Sequence, residues 1–270
     1  YELTIHLDDL RPESASTHGK EIDQLFMVTL VITGIVFIIV QILLFVFSYI
    51  YQGKKGKKGL YYPENDKLEL FWTAIPAVVL AVLVLFGFKT WSDVTAPPKE
   101  DTQNVEVFAY QFGWYFRYAG PDGKLGKYDF RLISIPDNPL GLDPNDPASA
   151  DDVITRELRL PVNKEVNMLM RSKDVIHSFW LTHFRVQMYC QPGLKSNFKF
   201  TPTITTAEMR EKVDNEEFDY EVACNQICGA AHFNMKANLI VEDDKDYSEW
   251  LSKQKAFNPE KVNENNLAEL

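Results

Sequence analysis

Two long uncharged runs stand out in the first third of the chain. Residues 25–51 carry no charge and are rich in Val, Ile, Leu and Phe; residues 70–88 form a second such run, bracketed by Glu69 and Lys89. About 20 apolar residues cross a hydrocarbon core, so the pattern predicts two spanning helices, 25–51 and 70–88. Gln41 and Ser48 interrupt the first run and read as helix-contact residues. Pro76 falls in the first turns of the second, where a proline kinks a helix. Between the runs lies a short loop with four lysines (Lys54, Lys55, Lys57, Lys58), which the positive-inside rule places on the cytoplasmic side. Lys89 and Trp91 read as an interfacial anchor. The hairpin, 25–91, therefore leaves the polar segment 1–24 and everything after Trp91 on the outer side of the membrane.

The pattern then changes period. After a stiff linker, 92–104, containing Pro97-Pro98, short apolar stretches alternate with turn residues: 105–110, 156–161, 165–171, 197–201, 218–223 and 237–242. This predicts an antiparallel β-sandwich of seven or more strands over 105–245. Residues 133–155 are rich in Pro and Asp and read as an exposed loop, a place for partner contact. The end of the chain, 246–270, reads as a polar helix over 246–256, docked through Trp250 and Leu251, followed by a loose tail from 258.

Charge and cysteine content narrow the function. The formal net charge of −10 disfavours nucleic-acid binding and favours a basic partner. Only three cysteines occur, Cys190, Cys224 and Cys228, so this is no disulfide scaffold. No Cys-x2-Cys-His is present, which excludes a fused c-type haem. Tyr1 is not an initiator methionine, which suggests a removed signal peptide.

The chemistry concentrates in residues 224–235, Cys-Asn-Gln-Ile-Cys-Gly-Ala-Ala-His-Phe-Asn-Met. Two thiols (Cys224, Cys228), an imidazole (His232) and a thioether (Met235) lie within one loop. Soft sulfur with imidazole suits copper. A Cys-x3-Cys pair also suits zinc or a disulfide, and these four residues alone do not decide among the three. His177, in Asp-Val-Ile-His-Ser over 174–178, would complete a pair of metal ions.

Asp-Val-Ile-His-Ser-Phe over 174–179, followed by Cys-x3-Cys-Gly-x2-His-x2-Met, resembles subunit II of cytochrome c oxidase, the subunit that carries the dinuclear copper centre CuA. The resemblance implies a two-helix transmembrane hairpin followed by an all-β cupredoxin-like sandwich. It implies that Cys224 and Cys228 bridge both coppers, that His177 and Met235 complete one, and that His232 and the main-chain carbonyl of Gln226 complete the other. Residues 68–76 resemble the family's second-span signature, in which the position of Glu69 is implicated in proton uptake into a channel of the catalytic subunit. A carboxylate at a helix N-terminus also suits the helix dipole without further duty.

Four positions depart from the family pattern. Residues 110–118 resemble its Gln-Trp-x-Trp-x-Tyr stretch, whose first Trp receives electrons from cytochrome c. Phe112 stands there and lacks the indole, so Trp114, at the second Trp position, becomes the expected substitute. Gln226 replaces a Glu that reaches a magnesium ion at the border with subunit I, and a neutral amide is a weaker ligand for that hard cation. Thr182 and Tyr189 also differ, near the expected subunit border. His183 reads as a surface histidine and Cys190 as an inert buried thiol.

The function implied is that of the electron-accepting subunit of an aa3-type oxidase in the bacterial inner or mitochondrial inner membrane. It would pass single electrons from a c-type cytochrome, through copper, to haem in subunit I, where oxygen is reduced. Its partners would be subunit I, other oxidase subunits, membrane lipid and the cytochrome donor, soluble or tethered to a neighbouring complex. Glu216, Glu217, Asp219, Asp243 and Asp244 would steer a basic donor. Two rivals are a copper-bearing nitric oxide reductase subunit and a quinol oxidase subunit; the second lacks the copper ligands.

Overall fold

Each apolar run becomes one continuous helix that outlasts it. A computed structural model describes residues 11–59, 61–99 and 102–257. Helix α1 is Gly19–Ile50 and α2 is Asp66–Thr95. At 1.5 Å per residue each is about 45 Å long, against a hydrocarbon core of about 30 Å. The helices start earlier than residues 25 and 70, because polar first turns continue them into water. Acidic side chains there, Glu21 on α1 and Asp66 and Glu69 on α2, suit the positive end of the helix dipole. The Asn65 Oδ1 accepts from the Leu68 N–H at 3.0 Å, the bond an N-cap makes. Pro76 is accommodated within α2. Apolar side chains are exposed all along both helices, from Phe26 to Ile50 and from Leu68 to Trp91, as suits a segment whose solvent is lipid.

By packing, residues Lys20–Asp93 form one unit and the rest of the described chain another. The second unit is a two-sheet sandwich. In chain order its elements are β1 (Gln103–Tyr110), β2 (Gly113–Tyr118), α3 (Pro147–Ala150), β3 (Val153–Thr155), β4 (Leu158–Pro161), β5 (Val166–Ser172), β6 (His177–Leu181), β7 (Val186–Cys190), β8 (Ser196–Phe200), α4 (Thr206–Lys212), β9 (Tyr220–Cys224), β10 (Lys236–Glu242) and α5 (Asp244–Ser252). One sheet runs β3-β2-β1-β5-β8, the other β4-β10-β9-β6-β7. The expected antiparallel arrangement needs correcting: β1 pairs with β5, and β10 with β4, in parallel. Both pairs join strands far apart in the chain, which local turn signals do not reveal. The architecture is otherwise the expected cupredoxin-like sandwich behind two apolar helices.

Alternation along the strands builds the core. Val105, Val107 and Ala109 of β1 and Val166, Met168 and Met170 of β5 meet Phe179, Leu181, Val222, Leu239 and Val241 of the facing sheet, all buried. The other face of the first sheet is covered as well, which corrects the reading of 133–155 as an exposed loop. Leu140 and Leu142 are fully buried against Phe108 and Phe257. Asn138 ties the turn beneath them, donating from Nδ2 to the Leu142 carbonyl and accepting the Leu142 N–H at Oδ1. Two leucines among prolines and aspartates are too few to show as an apolar stretch, yet they suffice to close this face.

The covered face holds a charge cluster. Arg117 bonds Glu106 at 2.9 Å, pairs with Asp152, and donates to the Gly126 carbonyl at 2.6 Å, while Arg171 pairs with Glu106 from the other side. Burial acts to raise Glu106, but the two guanidiniums outweigh it and hold its carboxyl below the usual range.

Three further readings gain detail. Residues 11–18 lie along the sandwich: Ser16 Oγ donates to the Phe184 carbonyl at 2.7 Å, and Ala15 is buried. Helix α5 begins at Asp244 rather than 246 and stops at Ser252, with Trp250 stacked edge-on against Tyr118. His183 is half-buried between the rings of Phe218 and Tyr220 rather than free at the surface. Residues 1–10 and the tail from 258 lie outside the described residues.

Removing the Arg117 guanidinium would leave Glu106 and Asp152 buried and short of a cation, an arrangement that costs about 3–5 kcal/mol. Arg117→Met is therefore expected to lower the unfolding free energy of the sandwich by that amount in denaturant titration followed by tryptophan fluorescence. A loss under about 1 kcal/mol, the value of an exposed pair, contradicts the buried-cluster account.

Candidate metal centre

Three neighbouring strands end at the same edge of the second sheet. In the order β9-β6-β7, Phe179 pairs with Cys224 and His177 with Cys190. The last residue of β9, the first of β6 and the last of β7 thus share one pole of the sandwich. The chain leaves β9 at Cys224 and returns as β10 at Lys236, so the segment between them must form a loop over that pole.

Backbone bonds fold this loop tightly. The Cys224 N–H donates to the Met235 carbonyl at 3.1 Å, and the Asn225 N–H to the Ser178 carbonyl at 3.2 Å. A short 3-10 turn, His232–Asn234, brings His232 and then Met235 inward. From the facing sheet, Gln111 Nε2 donates to the Cys228 carbonyl at 2.5 Å. Gly229 has φ +139, and a Cβ there would meet Gln111 Nε2 and Phe112 Cζ at 2.8 Å, so only glycine fits.

The side chains converge. The Cys224 and Cys228 sulfurs are 3.8 Å apart, and both cysteines are free. Cys228 Sγ lies 3.6 Å from His232 Nδ1 and 3.8 Å from Met235 Sδ. Cys224 Sγ lies 3.2 Å from the Gln226 carbonyl. A ring nitrogen of His177 and the two sulfurs lie within 4.8 Å of one another. All six residues named from the sequence therefore meet at one place.

His177 shows what the site is built for. Its Nε2 donates to Asp174 Oδ1 at 2.8 Å. The other ring nitrogen, Nδ1, is buried and has no hydrogen-bond partner among the described residues. A buried unpaired nitrogen beside two thiols is costly unless a ligand takes it up. Asp174 also accepts the Gln111 N–H at 2.8 Å, and the ring of Trp114 stands edge-on to His177 at 6.3 Å. A metal-binding histidine is commonly held by a carboxylate in this way. The partners Asp174 and Gln111 were not singled out from sequence; the nearest signal was a carboxylate three residues before the histidine.

The electrostatics favour a cation. Burial works against ionisation of Cys224, but the neighbouring His177 imidazole and the backbone at Ser178 and Gln226 bring it down to about 6. Burial, then the neighbouring Cys224 charge, pushes Cys228 up to about 11. The first thiolate forms readily and the second waits for positive charge. Burial would lower His177, but Cys224 and Asp174 together raise it. Cys190 is fully buried, and burial raises its thiol, which agrees with an inert sulfur.

Residues 6–90 match the family model for the transmembrane domain of cytochrome c oxidase subunit II, and residues 105–242 match the model for its periplasmic domain. The chain belongs to the cytochrome c oxidase subunit II family. It is 36% identical over 244 residues to the alternative cytochrome c oxidase subunit 2 of Bradyrhizobium diazoefficiens, covering 90% of this chain and 83% of that one. It is 27% identical over 277 residues to cytochrome c oxidase subunit 2 of Thermostichus vulcanus, covering 93% and 80%. Among solved structures, the periplasmic domain of subunit II of cytochrome oxidase of Bradyrhizobium japonicum aligns at 26% identity and TM-score 0.38, covering 57% of this chain and 94% of that one. As a member of the subunit II family, the chain is a membrane protein with an outer-side domain and part of an oxidoreductase complex.

Two further residues named from sequence separate. Phe112 is partly exposed, against Gly229 of the metal loop, whereas Trp114 is buried between His177 and Phe179. At 3% exposure Trp114 lies behind the surface, whereas Phe112 reaches it. Glu69 is exposed in the first turn of α2.

The thiol asymmetry is testable on metal-free protein. Iodoacetamide should modify Cys224 first, at a rate that levels above pH 7 and falls about tenfold per pH unit below 6, while folded Cys190 stays unmodified. Equal rates at Cys224 and Cys228, read by mass spectrometry, would contradict the assignment.

Proposed function

We propose that this chain accepts single electrons from a c-type cytochrome through a dinuclear copper centre and hands them to haem in subunit I of an aa3-type oxidase. The observation that carries the reading is the donor set: two thiols 3.8 Å apart, flanked by His232, Met235 and a buried, unpaired His177 nitrogen. A thioether beside paired thiols and imidazoles suits copper better than zinc, which takes Cys, His and carboxylate. Cys224 and Cys228 would bridge the two ions. His177 and Met235 would complete one, His232 and the Gln226 carbonyl the other.

When bound, the copper pair supplies a one-electron carrier whose unpaired electron is shared across two thiolate bridges. The chain supplies rigidity. Cys224 and His177 sit on strand ends, Asp174 fixes the imidazole, and Gln111 clamps the loop at Cys228. Ligands held this way move little when the charge changes, so little reorganisation opposes transfer. Trp114 holds the His177 ring, and Phe112 presents an apolar surface to the donor. Gln226 contributes its main chain, and its amide side chain leaves magnesium weakly served. The resemblance over 68–76 supports a role for Glu69 in proton uptake by a channel of the catalytic subunit. A relative named as an alternative oxidase subunit 2 favours an oxidase over a nitric oxide reductase.

In the purified complex, Cys224→Ser is expected to abolish electron flow from cytochrome to oxygen while haem content is kept. Near-normal turnover would exclude the thiol as a bridging ligand. Phe112→Ala should slow bimolecular reduction by the cytochrome at least several-fold with copper content unchanged, whereas Trp114→Ala should change the copper spectrum or affinity. The opposite division of effects, in stopped-flow kinetics and metal analysis, would return Trp114 to the role of electron contact.

A further inference from the structure

The charges around the metal loop are not those that the chain's acidic total would lead one to expect. Strand β9 runs from Tyr220 to Cys224, and strands rise about 3.3 Å per residue. Glu216, Glu217 and Asp219, which precede it, therefore lie at the opposite end of the sandwich from Cys224. Strand β10 leaves the metal loop at Lys236 and reaches Glu242 six residues later, so Asp243 and Asp244 belong to that far end too. The acidic residues expected to steer a basic donor sit at the wrong pole.

The near pole is different. Its outermost side chains are apolar: Ile227 is 81% and Phe233 80% exposed, and Phe112, Val175 and Ile176 are also open to solvent. An exposed apolar group of this kind marks a contact surface. Of the carboxylates there, Asp174 is committed to His177 and Gln111, Asp129 lies beside Arg131, and Glu221 pairs with Lys236 at 2.8 Å. Lys173 and Lys195 are exposed and form no ion pair among the described residues; Lys195 lies over the Tyr128 ring. The Lys173 N–H donates to the Ala109 carbonyl, which places it beside the turn that carries Phe112. Free positive charge thus borders the surface where an electron donor would touch.

We infer that this face receives a c-type haem domain whose exposed haem edge is ringed by carboxylates, with Lys173 and Lys195 as the complementary charges. The inference rests on the reading that electrons enter at this pole, and it reverses the sign of the partner expected from the net charge. Lysines near an apolar contact raise the association rate of an acidic partner and lower that of a basic one.

The test uses the intact, copper-loaded complex and two soluble c-type cytochromes, one with carboxylates and one with lysines around the haem edge. Stopped-flow reduction of copper is followed from low to high ionic strength. The acidic cytochrome should react faster at low salt and slow as salt rises, and Lys173→Glu with Lys195→Glu should cut its rate about tenfold or more. Glu216→Lys with Glu217→Lys should change neither cytochrome's rate by more than about twofold. A faster basic cytochrome, or rates indifferent to the two lysines, overturns the inference while leaving electron acceptance at this pole standing. Should neither cytochrome reduce a copper centre that dithionite does reduce, electron acceptance at this pole falls, and the charge assignment falls with it.

Discussion

Two thiols held 3.8 Å apart cannot both ionise without a positive charge between them. At an effective dielectric constant of about 20, two unit charges at that separation repel by about 4 kcal/mol. The site prepares half of this condition itself, since Cys224 ionises readily while Cys228 resists. The remaining half is left to a guest. An unpaired imidazole nitrogen, a thioether and a carbonyl oxygen face the same volume, so the guest's preferred donors are already in place. The loop, the strand ends and the residues behind them can be understood as what keeps these donors from drifting apart or finding other partners.

The fold meets that demand by drawing the ligands from elements that cannot move independently. β6 and β9 are paired directly, and β10 closes the loop onto β9. The facing sheet adds the Gln111 clamp and the Trp114 wedge. That sheet is itself stiffened on its outer side by the turn around Asn138 and by the Arg117, Glu106, Arg171 and Asp152 cluster. Arg117 and Trp114 both lie on β2, so the charge cluster and the metal centre are supported by the same strand.

Much of this was legible in the residues themselves. The two spans declared themselves through uncharged length, and the cluster of sulfur and imidazole donors through rare donor types at short spacing. The parallel strand pairs were not legible, because β1 with β5 and β4 with β10 join segments far apart in the chain and no local turn announces them. The cover over the first sheet was hidden for another reason: Leu140 and Leu142 act from within a stretch whose prolines and aspartates suggest solvent. Trp114 and Phe112 could be named but not ranked, since strand alternation decides which of two nearby rings turns inward. Charge was the least legible feature. A net value of −10 says nothing about which end of a sandwich is acidic, and the topology places Glu216, Glu217, Asp219, Asp243 and Asp244 far from the metal loop.

The central claim is that one electron is shared by two coppers held between Cys224 and Cys228. Its most direct test is metal analysis of the purified, copper-loaded chain together with its EPR spectrum. The account predicts two coppers per chain and a hyperfine pattern from one electron spread over two nuclei. A single copper, bound zinc, or a spectrum of one isolated Cu(II) ion would contradict it.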